Sequence, residues 1–322
     1  MSKSLPSVVF MGTPDFAVAS LEAIYRKGFE VRGVVTATDK PAGRGKQVQS
    51  SPVKRLALEH KTLILQPDSL KDDYFHEELA ELNADLFVVV AFRMLPEVVW
   101  TMPPMGTINL HASMLPDYRG AAPINWVLMN GETRTGLTTF IIDREIDTGK
   151  ILMQQPVEIE PNMAAGALHN FMMVKGADLL VETIIRLNEG SLTPTDQQTL
   201  VNDPSLLKTA PKLTREHSLI LWTDTAIKIH DQIRGLSPLP GASTHFLTDS
   251  GFSYGMKIIE SEAISDNNWG IPGEVLFERP NRLFIQTGEG TIQVKKIQQA
   301  GKKIMGTAEF LRGFREEILK AD

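Results

Sequence analysis

Between two helical stretches the chain carries Leu86-Phe87-Val88-Val89-Val90-Ala91, six apolar residues without a polar break. A strand with one face in water alternates apolar and polar residues, so an unbroken, valine-rich run marks a strand covered on both faces. Such strands occur in parallel sheets with helices on either side. The flanking pattern agrees. Val8–Met11 is apolar and meets the turn Gly12-Thr13-Pro14-Asp15, Phe16–Lys27 has helical spacing, and Val31–Thr36 is a second strand. Val53–His60 and Tyr74–Leu82 read as helices with the strand Leu63–Leu65 between them. Ile108–His111 and Leu137–Ile142 add strands, and Ala164–Leu187 adds a long helix. The expected class is α/β, a doubly wound and mostly parallel sheet.

The texture changes near residue 200, where Asp203-Pro204 and Ala210-Pro211 interrupt the helical pattern. Leu219–Trp222 reads as a strand and Thr225–Ile233 as a helix. Short strands then alternate with turns: Thr244–Leu247, Met256–Ile264, Gly273–Phe277, Arg282–Thr287 and Thr291–Ile297. That spacing suggests a small β-barrel, with Ala308–Leu319 closing the chain as a helix. A length of 322 residues exceeds what one core usually holds. Two domains are expected, 1–206 and 207–322.

The absence of Cys removes disulfides and thiol chemistry. The seven His are scattered, with no H-E-x-x-H pattern, so no metal site is expected. No apolar run approaches the ~20 residues of a spanning helix, and no leader pattern is visible, so a cytoplasmic location and no membrane partner are expected. Net charge is -6. Residues 1–206 hold 18 Lys/Arg against 25 Asp/Glu, and residues 207–322 hold 15 against 14. Within the acidic first part, Lys40, Arg44, Lys46, Lys54 and Arg55 form a stretch without a single acid after Asp39. The Pro- and Gly-containing loop Asp39–Lys46 is either a solvated surface loop or one whose cations reach nucleic-acid phosphates.

In Thr107-Ile108-Asn109-Leu110-His111, apolar and polar residues alternate, so Asn109 and His111 project from one face of a strand. Sites in open α/β sheets lie beyond the carboxyl ends of the strands. Gly12-Thr13, Phe92-Arg93, His111-Ala112 and Asp143 all fall at such ends. Gly12-Thr13-Pro14-Asp15 lacks the G-x-G-x-x-G pattern of dinucleotide binding and reads as a tight turn. Asp143-Arg144-Glu145-Ile146-Asp147-Thr148-Gly149 follows a strand, and Asp147 is either a turn residue or a partner that orients the His111 imidazole. Ser113 has no G-x-S-x-G elbow, which argues against a serine nucleophile. An amide, an imidazole and a carboxylate without a nucleophile suit a transfer in which the substrate brings the nucleophile.

Asn109-x-His111, Ser113-Met114-Leu115-Pro116, Arg119-Gly120-Ala121-Ala122-Pro123 and Asp147-Thr148-Gly149 resemble the signature of the folate-dependent formyltransferases. The resemblance extends to Gly12-Thr13-Pro14-Asp15-Phe16, Pro41–Lys46, Ser51–Lys54, Lys212-Leu213-Thr214 and Arg234-Gly235-Leu236-x-Pro238, and so spans essentially the whole chain. It implies a Rossmann-like catalytic domain followed by a small barrel of OB type. Asn109, His111 and Asp147 would be the catalytic trio. The co-substrate would be 10-formyltetrahydrofolate, held by Phe92, Arg93, Met94, Leu95, Ser113, Met114, Leu115, Pro116 and Asp143. The implied partner is initiator methionyl-tRNA, met by Lys40, Arg44 and Lys46, with Lys295, Lys296, Lys302 and Lys303 available on the barrel. A monomer is expected. The chain departs from the family pattern at Met114 and in the short Ala91–Pro96 loop.

Rival readings are a formyltransferase acting on glycinamide ribonucleotide or an amino sugar, and a formyltetrahydrofolate hydrolase. A non-catalytic nucleic-acid-binding module is a reading of a different class. The ribonucleotide enzymes resemble the first domain alone, and the Pro-Ala-Gly-Arg-Gly-Lys loop favours tRNA over a sugar nucleotide.

Overall fold

The computed structural model describes residues 4–42, 47–265, 267–278, 280–314 and 316–322. The chain separates into two compact units. One comprises residues 1–120, 135–158 and 169–209, and the other 121–134, 159–168 and 210–322.

The first unit is built on strands β1 (Val8–Gly12), β2 (Val31–Val35), β5 (Ile64–Leu65), β6 (Leu86–Val90), β7 (Thr107–His111), β8 (Arg134–Ile141) and β9 (Ile151–Glu158). A separate hairpin is formed by β3 (Lys40–Ala42) and β4 (Gln47–Gln49). The connecting helices are α1 (Asp15–Lys27), α2 (Pro52–Glu59), α3 (Asp73–Glu81) and the short α4 (Glu97–Trp100). Helix α5 (Pro123–Met129) lies in the second unit, and α6 (Ala165–Glu189) contributes all but its first turn to the first. The sheet order is β5-β2-β1-β6-β7-β8-β9. The pairs from β5 to β7 are parallel and β7–β8 is antiparallel, so the sheet is mostly parallel as expected. Every residue of β1 and β6 is buried, which is why those segments carry no polar residue. On one face Phe87 and Val89 pack with Phe75 and Leu79 of α3 and Val99 of α4. On the other, α6 rides directly on β7 and β8. A Cβ at Gly176 would lie 2.8 Å from a methyl of Leu110 and 3.3 Å from one of Leu137, so a side chain there would have to displace Leu110.

In the second unit, α5 packs on α7 (Ala226–Leu236), where Asn125 Nδ2 donates to the Gly235 carbonyl at 2.7 Å. The antiparallel sheet runs through β10 (Ala242–Thr248), β11 (Ser253–Ile264), β12 (Val275–Glu278), β13 (Arg282–Gln286), β14 (Thr291–Gln299), the short β15 (Met305–Gly306) and β16 (Ile318–Ala321). Its order is β12-β13-β14-β11-β10-β16. The two edges meet where Ala321 N–H donates to the Gly273 carbonyl at 2.7 Å, beside the Glu274↔Lys320 bridge. The result is the nearly closed barrel expected, filled by Phe246, Ile258, Leu283, Ile285, Ile292, Val294, Ile297 and Phe310.

Three elements differ from the sequence reading. Ala308–Leu319 is not one helix. Helix α8 (Thr307–Gly313) stops at Gly313, and Ile318–Ala321 becomes β16 because it pairs with β10. Leu219–Trp222 is not a strand. Only Leu219 bridges to Ser243, and a 3-10 turn precedes it. Residues 39–46 are not wholly an irregular loop, since Lys40–Ala42 and Gln47–Gln49 form a ladder. Strand β9 had no expectation, its middle being the half-buried Met153-Gln154-Gln155.

The register between β1 and β6 is fixed at its start by one polar pair. Ser7 donates to Asp85 Oδ2 from its N–H at 2.7 Å and its hydroxyl at 2.6 Å, and these bonds hold the Asp85 carboxyl below the usual aspartate range. A depressed folded-state value stabilises above the unfolded value and is lost as pH falls through the folded one. Asp85→Asn should therefore lower stability at neutral pH and flatten its decline below about pH 4. Urea melts at stepped pH check this, and identical acid limbs for the two proteins would contradict it.

Candidate active site

Strand β7 carries the site because its side chains alternate between the two faces. Asn109 lies in register with Val89 of β6 and Phe140 of β8, and Val89 is in turn opposite Met11 and Met11 opposite Val35. Asn109 is thus the polar member of an apolar row that crosses five strands. Its Oδ1 is wholly buried and has no hydrogen-bond partner. A buried acceptor left unpaired costs about 1–3 kcal/mol, a cost that packing does not explain. One step further along β7, His111 is opposite Thr138 and is 7 % exposed.

His111 meets a protein acceptor on each side. Its Nε2 is 2.9 Å from the Tyr118 carbonyl. A carbonyl only accepts, so Nε2 carries a hydrogen, and the proton that this ring can gain or lose is the one on Nδ1. Nδ1 lies 3.7 Å from Asp147 Oδ2, close enough for a charge interaction but longer than a hydrogen bond. The same Oδ2 accepts from the Gly120 N–H at 2.8 Å.

Asp147 is delivered by the segment between β8 and β9 and has a left-handed backbone, φ 57°. The neck of that segment closes at Gly149, where a Cβ would come 1.7 Å from the Ile141 carbonyl oxygen. Asp143, expected to touch folate, is exposed and bonded within the turn. Its Oδ1 accepts from Glu145 N–H at 3.2 Å and from Thr148 Oγ1 at 2.7 Å. Gln197, which sequence reasoning missed, is 1 % exposed and donates to the carbonyls of Asp147 and Gly149, each at 2.8 Å.

The Ser113–Pro116 stretch is built into the scaffold. Ser113 is buried, its hydroxyl donates to the Asp117 carbonyl at 2.7 Å, and its carbonyl accepts from Thr138 at 2.7 Å. Leu115 packs with Phe140 and Ile151, and its carbonyl accepts from Gln154 at 2.8 Å. Met114 lies against Gly136 of β8, and Pro116 is partly buried. In the short loop after β6, Leu95 is buried in the core and Phe92 packs at its edge, while Met94 is 69 % exposed. Arg93 stacks over the Phe92 ring at 5.4 Å and donates to the carbonyls of Pro67 and Asp68. The residues expected to hold a pterin thus divide into a buried foundation, the half-buried Phe92 and the exposed Met94.

Of the basic residues, Lys40 is exposed, and Arg44 and Lys46 lie outside the described residues. Lys54 is an anchor rather than a free cation. It donates to Asp39 at 2.5 Å and to Gln66 at 2.6 Å, and these two side chains hold Asp39 below the usual aspartate range. On the barrel, Lys295 pairs with Glu262 and Lys296 with Glu260, both at 2.6 Å. Among the described residues no group of three His, Asp or Glu is placed to hold a metal ion, and no helix is long and apolar enough to cross a membrane.

Because Gly149 closes the neck, Gly149→Ala must part the loop from the end of β8 and so move Asp147 away from His111. Turnover should fall about 100-fold, the scale of a 1 Å misplacement, and the urea midpoint should fall with it, because the new side chain meets the backbone of β8. Retained turnover would show that the loop tolerates the side chain.

Residues 6–184 match the family model described as formyl transferase, and residues 212–315 match the formyl transferase C-terminal domain. Methionyl-tRNA formyltransferase of Azobacteroides pseudotrichonymphae genomovar. CFP2 is 46% identical over 315 residues, covering 97% of this chain and 97% of that protein. The methionyl-tRNA formyltransferase of Bacteroides thetaiotaomicron is 45% identical over 315 residues, covering 98% of each. Among solved structures, an N-formyltransferase from Helicobacter canadensis, in complex with folinic acid and dTDP-3-aminofucose, superposes with a TM-score of 0.65 at 21% identity. It covers 89% of this chain and 97% of that one. At that identity the likeness is one of fold. Identity of about 45% over nearly the whole of both chains, with both family models matched in order, means that the chain belongs to the methionyl-tRNA formyltransferase family.

Proposed function

We propose that the protein transfers the formyl group of 10-formyltetrahydrofolate to the free amino group of methionine on initiator methionyl-tRNA, in the cytoplasm. Residues 1–206 hold the folate and carry the reaction, and residues 207–322 add contacts along the tRNA. The observation that carries this reading is the Asn109–His111–Asp147 grouping at the end of β7, an amide beside a buried imidazole whose Nδ1 is 3.7 Å from a carboxylate, with no nucleophile of its own. Formyl-folate brings the carbon, and the methionyl amine brings the nucleophile. One N–C bond forms, the bond from N10 to the formyl carbon breaks, and the amine's proton ends on N10.

Asn109 donates to the formyl oxygen, where negative charge grows as the amine attacks. His111 and Asp147 handle the proton. With Nε2 committed to Tyr118, the exchange runs through Nδ1, which faces the Asp147 carboxylate at 3.7 Å. Phe92 and Met94 form the apolar margin for the pterin. The C-terminal unit favours this reading over a glycinamide ribonucleotide enzyme, which resembles the first domain alone.

Asn109→Ala should lower kcat by about 10²–10³ with little change in tRNA affinity, because the bond is made to charge that develops in the transition state. The assay is transfer from 10-formyltetrahydrofolate to charged initiator tRNA, with uncharged tRNA and free methionine as controls. Equal losses in kcat and affinity would contradict the role, and rapid folate hydrolysis without transfer would favour a hydrolase. Separately, replacing Lys40, Arg44 and Lys46 by Ala should flatten the salt dependence of tRNA binding by about 0.7–0.9 in slope per lost phosphate contact. An unchanged slope would remove the hairpin from the interface.

A further inference from the structure

Gln197 lies 50 residues beyond Asp147 in a polar stretch, Thr195-Asp196-Gln197-Gln198-Thr199, that would ordinarily be solvated. Instead its side chain is 1 % exposed and uses its full hydrogen-bonding capacity. Nε2 donates to the carbonyls of Asp147 and Gly149, both at 2.8 Å. Oε1 accepts from Arg119 Nε at 3.1 Å and from its terminal nitrogen at 2.6 Å. The guanidinium only donates and the carbonyls only accept, so the amide has one orientation compatible with all four partners.

Those partners are the two segments that fix Asp147. One is the loop that carries it, with its left-handed backbone and its closed neck. The other is Arg119-Gly120, whose Gly120 N–H holds the Asp147 carboxylate at 2.8 Å. Gln197 is itself set rigidly. Its 3-10 turn is capped by Asp196, and the preceding Thr195 exchanges two 2.8 Å backbone hydrogen bonds with Ile151 at the start of β9. We propose that Gln197 is a positioning residue for formyl transfer: one buried carboxamide ties the Asp147 loop to Arg119-Gly120 and so sets the carboxylate against His111. This rests on the role given to Asp147 under the proposed function.

Two variants separate positioning from folding. Gln197→Met keeps the volume and removes every hydrogen bond. Gln197→Glu is isosteric and keeps the Arg119 contact, but it sets a carboxylate oxygen against two carbonyls. Both should lower kcat by about 10²-fold at unchanged KM for both substrates. In an Asp147→Asn background, Gln197→Met should add no further loss, because the group that it positions is already gone. Losses that multiply, or wild-type kcat in both single variants, would overturn the proposal. A second readout does not depend on activity. In ¹⁵N spectra of the imidazoles, Asp147→Asn and Gln197→Glu should displace the His111 Nδ1 signal in the same direction. A His111 signal unmoved in Gln197→Glu would overturn positioning. Full turnover in Asp147→Asn alone would overturn the role of Asp147 and leave the spectral comparison to decide on Gln197.

Discussion

Asp147 reaches His111 because the chain between β8 and β9 doubles back through a neck that has no room for a side chain. Gly149 sits against the Ile141 carbonyl, and Ile141 N–H donates to the Lys150 carbonyl at 3.0 Å. A strand end alone would send the following residues outward from the carboxyl edge of the sheet. The closed neck turns them back over it and forces Asp147 into a left-handed conformation, which an L-residue keeps only where its surroundings over-determine it. Here they do so through Gly120 on the side chain and Gln197 on the backbone.

The polar residues of β7 depend on the same sheet in the opposite sense. The row Val35, Met11, Val89, Asn109, Phe140 is a core row with one foreign member. The parallel strands around it are covered on both faces and supply the rigidity that lets an amide with a buried, unpaired oxygen remain in place. Gly176 contributes from behind, by letting α6 press Leu110 and thereby fix the strand on which Asn109 and His111 are borne. Strands hold side chains more rigidly than loops do, and Asp147, the one of the three borne on a loop, is the one with extra ties.

Legibility in the sequence follows burial. Strands covered on both faces are apolar throughout, so β1 and β6 stand out without any partner being known. The alternation in β7 likewise puts Asn109 and His111 on one face by period alone. Elements whose character comes from distant pairing are not written locally. Residues 308–319 are spaced like a helix, yet the last of them pair with β10 and close the barrel. Strand β9 is half polar because it lies at the sheet edge. Asp147 can be suggested by residue type at a strand end, but its 3.7 Å approach to His111 depends on a neck glycine and a distant amide. Gln197 left no local signal, since a buried glutamine in a polar stretch is recognisable only through its partners.

Charge gives the last step. The body carrying the site is acidic, and among the described residues Lys54 is spent on Asp39 and Gln66 at the base of the hairpin. That ion pair, together with the hydrogen bond between the hydroxyls of Thr36 and Ser51 at 2.8 Å, fixes the two ends from which the hairpin springs. The Debye length at physiological salt is about 8 Å, so the acidity of the body is screened at any phosphate held farther off than that. Lys40, at the start of β3, is exposed and takes no part in that ion pair.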